Sequence, residues 1–191
     1  ERLKWTKKWD KLQEWDYEKA DIKWFLGGQI NACYNCVDRH VDDGRGDQVA
    51  ILWEGNDPSE SRSITYKDLQ DQVQKAANAL INLGIQKGDR VCIYMQMIPE
   101  LAVAVLACAR IGAIHSIVFG GFSPDALRDR IQDSDCQAVI TADQSMRGGK
   151  AIPLKVNADT ALTECPSIHT CIVVQHGGKD VERFRGVGEV G

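Results

Sequence analysis

The run Ile114-His115-Ser116-Ile117-Val118-Phe119-Gly120-Gly121-Phe122-Ser123-Pro124 changes character halfway. A short apolar strand over residues 114–119 ends in paired glycines, and Ser123-Pro124 then opens a helix. Glycines at such a point let a ligand approach the backbone, and the free N–H groups of a helix start favour an anion. An ordinary strand-to-helix turn accounts for the same residues, so the run gives an architecture first and a site only as a candidate.

Working outward, the same grammar repeats. Upstream are a strand over residues 90–95 and a helix with Pro99 in its first turn that runs to Gly112. Downstream come a strand over 138–141, a helix over 154–162 and a strand over 170–175. Thr65 with Asp68 three residues later forms a capping box that opens a helix ending at Gly84. Leu69, Val73, Ala76, Ala77, Leu80 and Ile81 keep helical spacing along it. Further upstream, Asn31 caps a helix to about residue 41, with Val37 and Val41 on one face, followed by a turn over 42–47 and a strand over 49–53. Short apolar strands alternating with amphipathic helices imply parallel βαβ units. The expected fold is therefore α/β: a doubly wound, mostly parallel sheet with flanking helices.

Residues 1–30 differ. They hold Trp5, Trp9, Trp15 and Trp24 amid many charges, and are expected to form an irregular Trp-rich arm. Its aromatics either dock onto something larger or pack on the chain's own surface.

Composition excludes several classes. The chain has 191 residues, 43% hydrophobic and 26% charged, as a globular domain requires. A net charge of −4 without any long basic run argues against nucleic acid. The most apolar stretch, residues 101–118, contains Arg110 and His115, and a charge at the centre of a membrane helix costs about 3 kcal/mol. No membrane partner is expected. The seven cysteines are odd in number and scattered, which reads as a reducing compartment, with cytoplasm as the expected location.

Four motifs remain to be weighed. Cys33, Cys36 and His40 could share a helical face, but no fourth ligand follows at zinc-finger spacing, so helix packing is preferred and no metal site is expected. Gly186-Val187-Gly188-Glu189-Val190-Gly191 spells the dinucleotide fingerprint without the strand and helix its mechanism needs. A Walker loop is absent, since Gly149-Lys150 is followed by Ala151. Residues 141–150 place Arg147 and Lys150 around Gly148-Gly149 after a strand. Such a loop suits phosphate, and a solvated basic loop is the competing reading.

The segments Trp53-Glu54-Gly55-Asn56-Asp57, Ile64-Thr65-Tyr66-Lys67-Asp68-Leu69, Gly88-Asp89-Arg90-Val91-Cys92-Ile93-Tyr94-Met95 and Ile98-Pro99-Glu100-Leu101-Ala102 resemble those of the acetyl-CoA synthetase family. So do Leu106-Ala107-Cys108-Ala109-Arg110-Ile111-Gly112-Ala113 and, most diagnostically, Phe119-Gly120-Gly121-Phe122-Ser123-Pro124-Asp125-Ala126-Leu127. The resemblance covers about residues 24–175. It implies an AMP-forming ligase: acetate and ATP give acetyl-adenylate and pyrophosphate, and CoA thiolate then displaces AMP. Propionate is the second acyl candidate.

The resemblance implies that residues 31–191 are the first part of a large adenylate-forming domain, with the remainder of the polypeptide as its partner. ATP and magnesium would serve the whole enzyme. The phosphate loop ending in Pro-Lys-Gly and the catalytic lysine are not in this sequence, so the chain carries no catalytic residue and no cofactor of its own. What carries over is the family's CoA surface, onto Phe119, Gly120 and Gly121 and onto Arg147, Gly148, Gly149 and Lys150. The family usually has arginine where Lys150 stands; lysine keeps the charge and loses the planar fork. Two rival expectations are a free-standing α/β module that binds CoA or a nucleotide without chemistry, and a Cys/His metal or redox protein.

Overall fold

Four parallel strands lie at the centre of the chain in the order β10-β7-β5-β6 in a computed structural model that describes residues 2–177. They are β5 (Arg90–Met95), β6 (Ile114–Phe119), β7 (Ala138–Ala142) and β10 (Thr170–Val174). β5 pairs with β6 from Arg90↔Ile114 to Met95↔Phe119, and with β7 from Val91↔Ala138 to Tyr94↔Thr141. β5 and β7 read Val-Cys-Ile-Tyr-Met and Ala-Val-Ile-Thr-Ala, all buried, as strands covered on both faces must be.

Helices flank the sheet. α1 (Tyr66–Asn82) packs on α2 (Pro99–Ile111), and α3 (Pro124–Asp133) packs on α4 (Leu154–Leu162). The expected caps form. Thr65 Oγ1 accepts from the Asp68 amide while the Asp68 carboxylate accepts from the Thr65 amide. Ser123 Oγ accepts from the Ala126 amide. Gly112, at φ 78°, ends α2 in the left-handed conformation that favours glycine. α1 buries Leu69, Val73, Ala77 and Leu80, whereas Ile81 is exposed.

Two local expectations need correction, and a third element gains a partner. The first 30 residues are not irregular: β1 (Lys11–Asp16) and β2 (Asp21–Leu26) form an antiparallel hairpin, and Trp5, Trp9 and Phe25 cluster with ring centroids 5.0–5.1 Å apart. Backbone pairing between Lys7 and Gln29 closes this segment on itself, and the Lys4–Asn35 hydrogen bonds tie it to the helical stretch that follows. That stretch does not stop at residue 41; it winds in wide π-type turns at Tyr34–Asp38 and Val41–Arg45, with Gly44 left-handed at φ 76°. Asn31 still caps its start, accepting from the Tyr34 amide, and also donates to the last carbonyls of α2. The strand expected at 49–53 is β3 (Val49–Glu54), and it has an antiparallel partner, β4 (Ser61–Thr65).

Cys33 and Val37 point into the core and Cys36 faces solvent, so Cys33 and Cys36 do not share a face. The nearby charge of Asp38 is closed by Arg110, with both carboxylate oxygens 2.8 Å from its guanidinium, and by Gln70. The fingerprint-like Gly186–Gly191 run lies outside the described residues. None of the described helices is long and apolar enough to cross a membrane.

Candidate functional site: a cleft at the carboxyl ends of the strands

The strand order fixes where a cleft opens. From β5 the chain crosses to β6 on one side; from β7 it crosses to β10 on the other. Ligand crevices in open α/β sheets form where connections diverge, at the carboxyl ends of the strands. Here that point is between β5 and β7, and a cleft of about 750 Å³ opens there. Gln96, just after β5, spans it by donating to the Gln144 carbonyl just after β7, at 3.0 Å. Its Oε1 is buried with no partner among the described residues.

One wall comes from the run after β6. Phe119 is half exposed, and the Phe122 amide donates to its carbonyl at 3.0 Å, closing a tight turn around Gly120 and Gly121. Each glycine has its own reason. A Cβ on Gly120 would stand 3.2 Å from the Met95 carbonyl carbon and 3.3 Å from the Gln96 amide, so this glycine lets the turn lie against the end of β5. A Cβ on Gly121 would stand 2.6 Å from the Phe119 ring and 2.7 Å from an Arg147 guanidinium nitrogen. Arg147 lies over the Phe119 ring, 5.1 Å from its centroid.

The opposite wall is a hairpin that the loop reading of residues 141–150 did not anticipate. β8 (Ser145–Arg147) and β9 (Lys150–Ile152) pair with Arg147 opposite Lys150. Gly148 at φ 55° and Gly149 at φ 74° supply the two left-handed residues of a two-residue turn. The two cations therefore sit side by side at a hairpin tip. Arg147 lines the cleft together with Phe119, Gly120 and Gly121, whereas Gly148, Gly149 and Lys150 lie outside its lining. The signal was present, since two glycines between short runs read as a type I′ hairpin.

Asp143, the carboxylate four residues before Arg147, is occupied elsewhere. Its buried carboxylate accepts from the backbone amides of Gln144, His176 and Gly177 at 2.7–3.0 Å, fixing the segment after β10 against the segment after β7. The guanidinium of Arg147 is thereby left to the Phe119 ring and the cleft.

The third wall, from the β3–β4 hairpin, escaped the sequence reading. Trp53 Nε1 donates to the Met97 carbonyl at 2.9 Å, and Asn56 Nδ2 donates to the Met146 carbonyl at 3.0 Å. His176 meets the Trp53 ring edge-on at 6.2 Å. Arg62 lies over the Trp53 ring, 4.9 Å from its centroid, and forks onto Glu100 at 2.7 and 3.0 Å. Only a fold-level pairing brings residues 53–62 beside 144–147, and no local motif announces it.

The cleft thus offers a stacking surface, a forked cation and close backbone approach. Among the described residues, no group of three or more His, Cys, Asp or Glu could hold a metal ion.

Comparison with known proteins accords with this arrangement. A family model described as "AMP-binding enzyme" matches residues 37–186, and one described as "Acetyl-coenzyme A synthetase N-terminus" matches residues 1–36. An acetyl-coenzyme A synthetase of Magnetococcus marinus is 60% identical over 185 residues, covering 97% of this chain and 29% of the relative. That of Halorhodospira halophila is 58% identical over 94% of this chain and 28% of the relative. Acetyl-coenzyme A synthetase 2 of Pseudomonas putida is 58% identical over 97% of this chain and 29% of the relative. The chain spans less than a third of the length of these curated relatives. With the first of these models matching most of its length over a parallel sheet whose strand ends open into a cleft, the chain belongs to the AMP-binding enzyme family.

Proposed function

We propose that this chain is the N-terminal part of an AMP-forming acetate–CoA ligase, and that its cleft contributes part of the CoA surface while the chemistry resides in the remainder of the polypeptide. The observation that carries this reading is the Arg147–Phe119 stack at the mouth of a strand-end cleft, in a chain about 58–60% identical to acetyl-coenzyme A synthetases.

The chemistry follows from the groups present. The nucleotide end of CoA carries a 3′-phosphate and a pyrophosphate, so it needs cations beside a flat surface. Phe119 offers the flat surface and Arg147 a forked donor. Gly121 leaves the space in which both side chains meet, and Gly120 lets the turn lie close to β5. Lys150, at the hairpin tip beside Arg147, supplies a second, compact charge, and Gly148 and Gly149 set the turn that holds the pair. Acetate activation needs ATP and magnesium. No group of three or more His, Cys, Asp or Glu among the described residues is suited to the metal, which the proposal assigns to the remainder of the polypeptide. Acetate, ATP and CoA are the proposed substrates, and cytoplasm the proposed location.

The sheet is read as doubly wound. Right-handed crossovers that leave in opposite directions place their helices on opposite faces, which fits α1 with α2 and α3 with α4 as separate packed pairs. The segment 1–30 is read as a distinct arm and residues 31–191 as the start of the large domain.

The test is a pair of half-reaction assays. The full-length polypeptide is expected to catalyse acetate-dependent ATP–pyrophosphate exchange and CoA-dependent AMP release; the 191-residue chain alone is expected to catalyse neither, because positioning and charge stabilisation of the transferred group lie elsewhere. Exchange by the 191-residue chain would place the adenylation site within it and refute the proposal.

A further inference from the structure

Tyr94 is fully buried at the end of β5, yet its hydroxyl is engaged in a way that packing does not require. It donates to the Phe122 carbonyl at 2.7 Å and accepts from Asn157 Nδ2, on α4, at 3.2 Å. A phenol has one proton. With Asn157 directing an N–H at the oxygen, that proton must point at Phe122, so the direction of the bond is fixed from behind. Burial pushes the phenol's pKa up, which keeps the proton in place at any ordinary pH.

The recipient is the turn of the cleft. The Phe122 amide closes the turn onto the Phe119 carbonyl, Gly120 lies against Met95 and Gln96, and Ser123 begins α3. The turn is therefore held from beneath at two points, by backbone contact at Gly120 and by the Tyr94 hydroxyl at Phe122. What remains free to face the cleft is the Phe119 ring, with Gly121 and Arg147. A phenylalanine at position 94 would fill the same core volume and leave the Phe122 carbonyl without this donor.

We infer that Tyr94, oriented by Asn157, is a positioning residue for CoA: it acts through the Phe119–Phe122 turn and touches no reacting atom. This rests on the CoA reading above. The experiment uses the full-length polypeptide carrying Tyr94→Phe, Asn157→Ala or Arg147→Ala, with KM for CoA, kcat, pyrophosphate exchange and Tm measured for each.

Loss of one hydrogen bond at the turn is expected to raise KM for CoA about three- to tenfold in Tyr94→Phe. The change in Asn157→Ala should run in the same direction and be smaller, and pyrophosphate exchange, which does not use CoA, should change by less than about twofold in Tyr94→Phe. If Arg147→Ala raises KM for CoA and neither Tyr94→Phe nor Asn157→Ala does, the positioning role is refuted and the CoA reading stands. If Tyr94→Phe depresses exchange and CoA use equally, the hydroxyl supports the fold alone, and the inference is again refuted. If Tyr94→Phe fails to fold, Asn157→Ala decides by the same two criteria. Unchanged KM for CoA in all three variants overturns the CoA reading and this inference with it.

Discussion

The guanidinium of Arg147 lies over the ring of Phe119, 5.1 Å from its centroid, in space that a Cβ on Gly121 would invade. The two side chains come from different elements, the end of β6 and the end of β8, and meet only because residue 121 has no side chain. Gly121→Ala is therefore expected to leave the fold intact while pushing Arg147 off the ring. Overpacking of this kind costs about 1–3 kcal/mol, toward the lower end here because Arg147 is long and can swing away. Denaturant melts measure the cost, and the guanidinium NMR signal of Arg147 reports the displacement. An unmoved signal would mean that the stack does not depend on Gly121.

The hairpin tip makes a second prediction. Gly148 and Gly149 both have positive φ with open space around them, so conformation and not room is what restricts their replacement. Gly148→Asn should be close to neutral, whereas Gly148→Val should cost about 1–2 kcal/mol in the hairpin. Amide exchange at Met146 and Ala151 would register the loss. Equal effects of both substitutions would argue against the two-residue turn.

How much of this was legible beforehand depends on range. Strands β5 and β6, helix α4 and the caps at Thr65 and Ser123 were readable, because each is written in residues within a few positions of one another. The four residues Phe119, Gly120, Gly121 and Arg147 were picked out and do come together at the cleft. The reason given for Gly120 was incomplete, since its absent Cβ faces the backbone of Met95 and Gln96 across the sheet. Trp53, Asn56 and His176 were invisible as cleft residues because long-range pairing brings them there. The first hairpin was missed because both strands are largely exposed and Lys11–Asp16 places its apolar Leu12 and Trp15 three apart, so the alternation of Ile22, Trp24 and Leu26 in the second strand had no matching partner pattern.

Acid should loosen the edge of the site in a defined direction. Burial favours protonation of Glu100, and the forked hydrogen bonds from Arg62 outweigh it, so its carboxyl lies below the usual glutamate range. A lowered folded-state pKa means that the stabilisation is present above the usual range and is lost as pH falls through the lowered value. The stability gap between the native chain and Glu100→Gln should therefore be widest near neutral pH and close as pH falls through and below the ordinary glutamate range. Thermal melts of both from neutral to acid pH measure it. A gap that widened on acidification would reverse the sign of the argument.

The central claim is that this cleft receives CoA, and Arg147→Ala in the full-length polypeptide tests it most directly. A charge-assisted hydrogen bond is worth about 1.5–3 kcal/mol, so KM for CoA should rise roughly ten- to a hundredfold. Acetate-dependent pyrophosphate exchange should stay near its original rate, because that step precedes CoA. Equal loss of both half-reactions, or no change in either, would contradict the account.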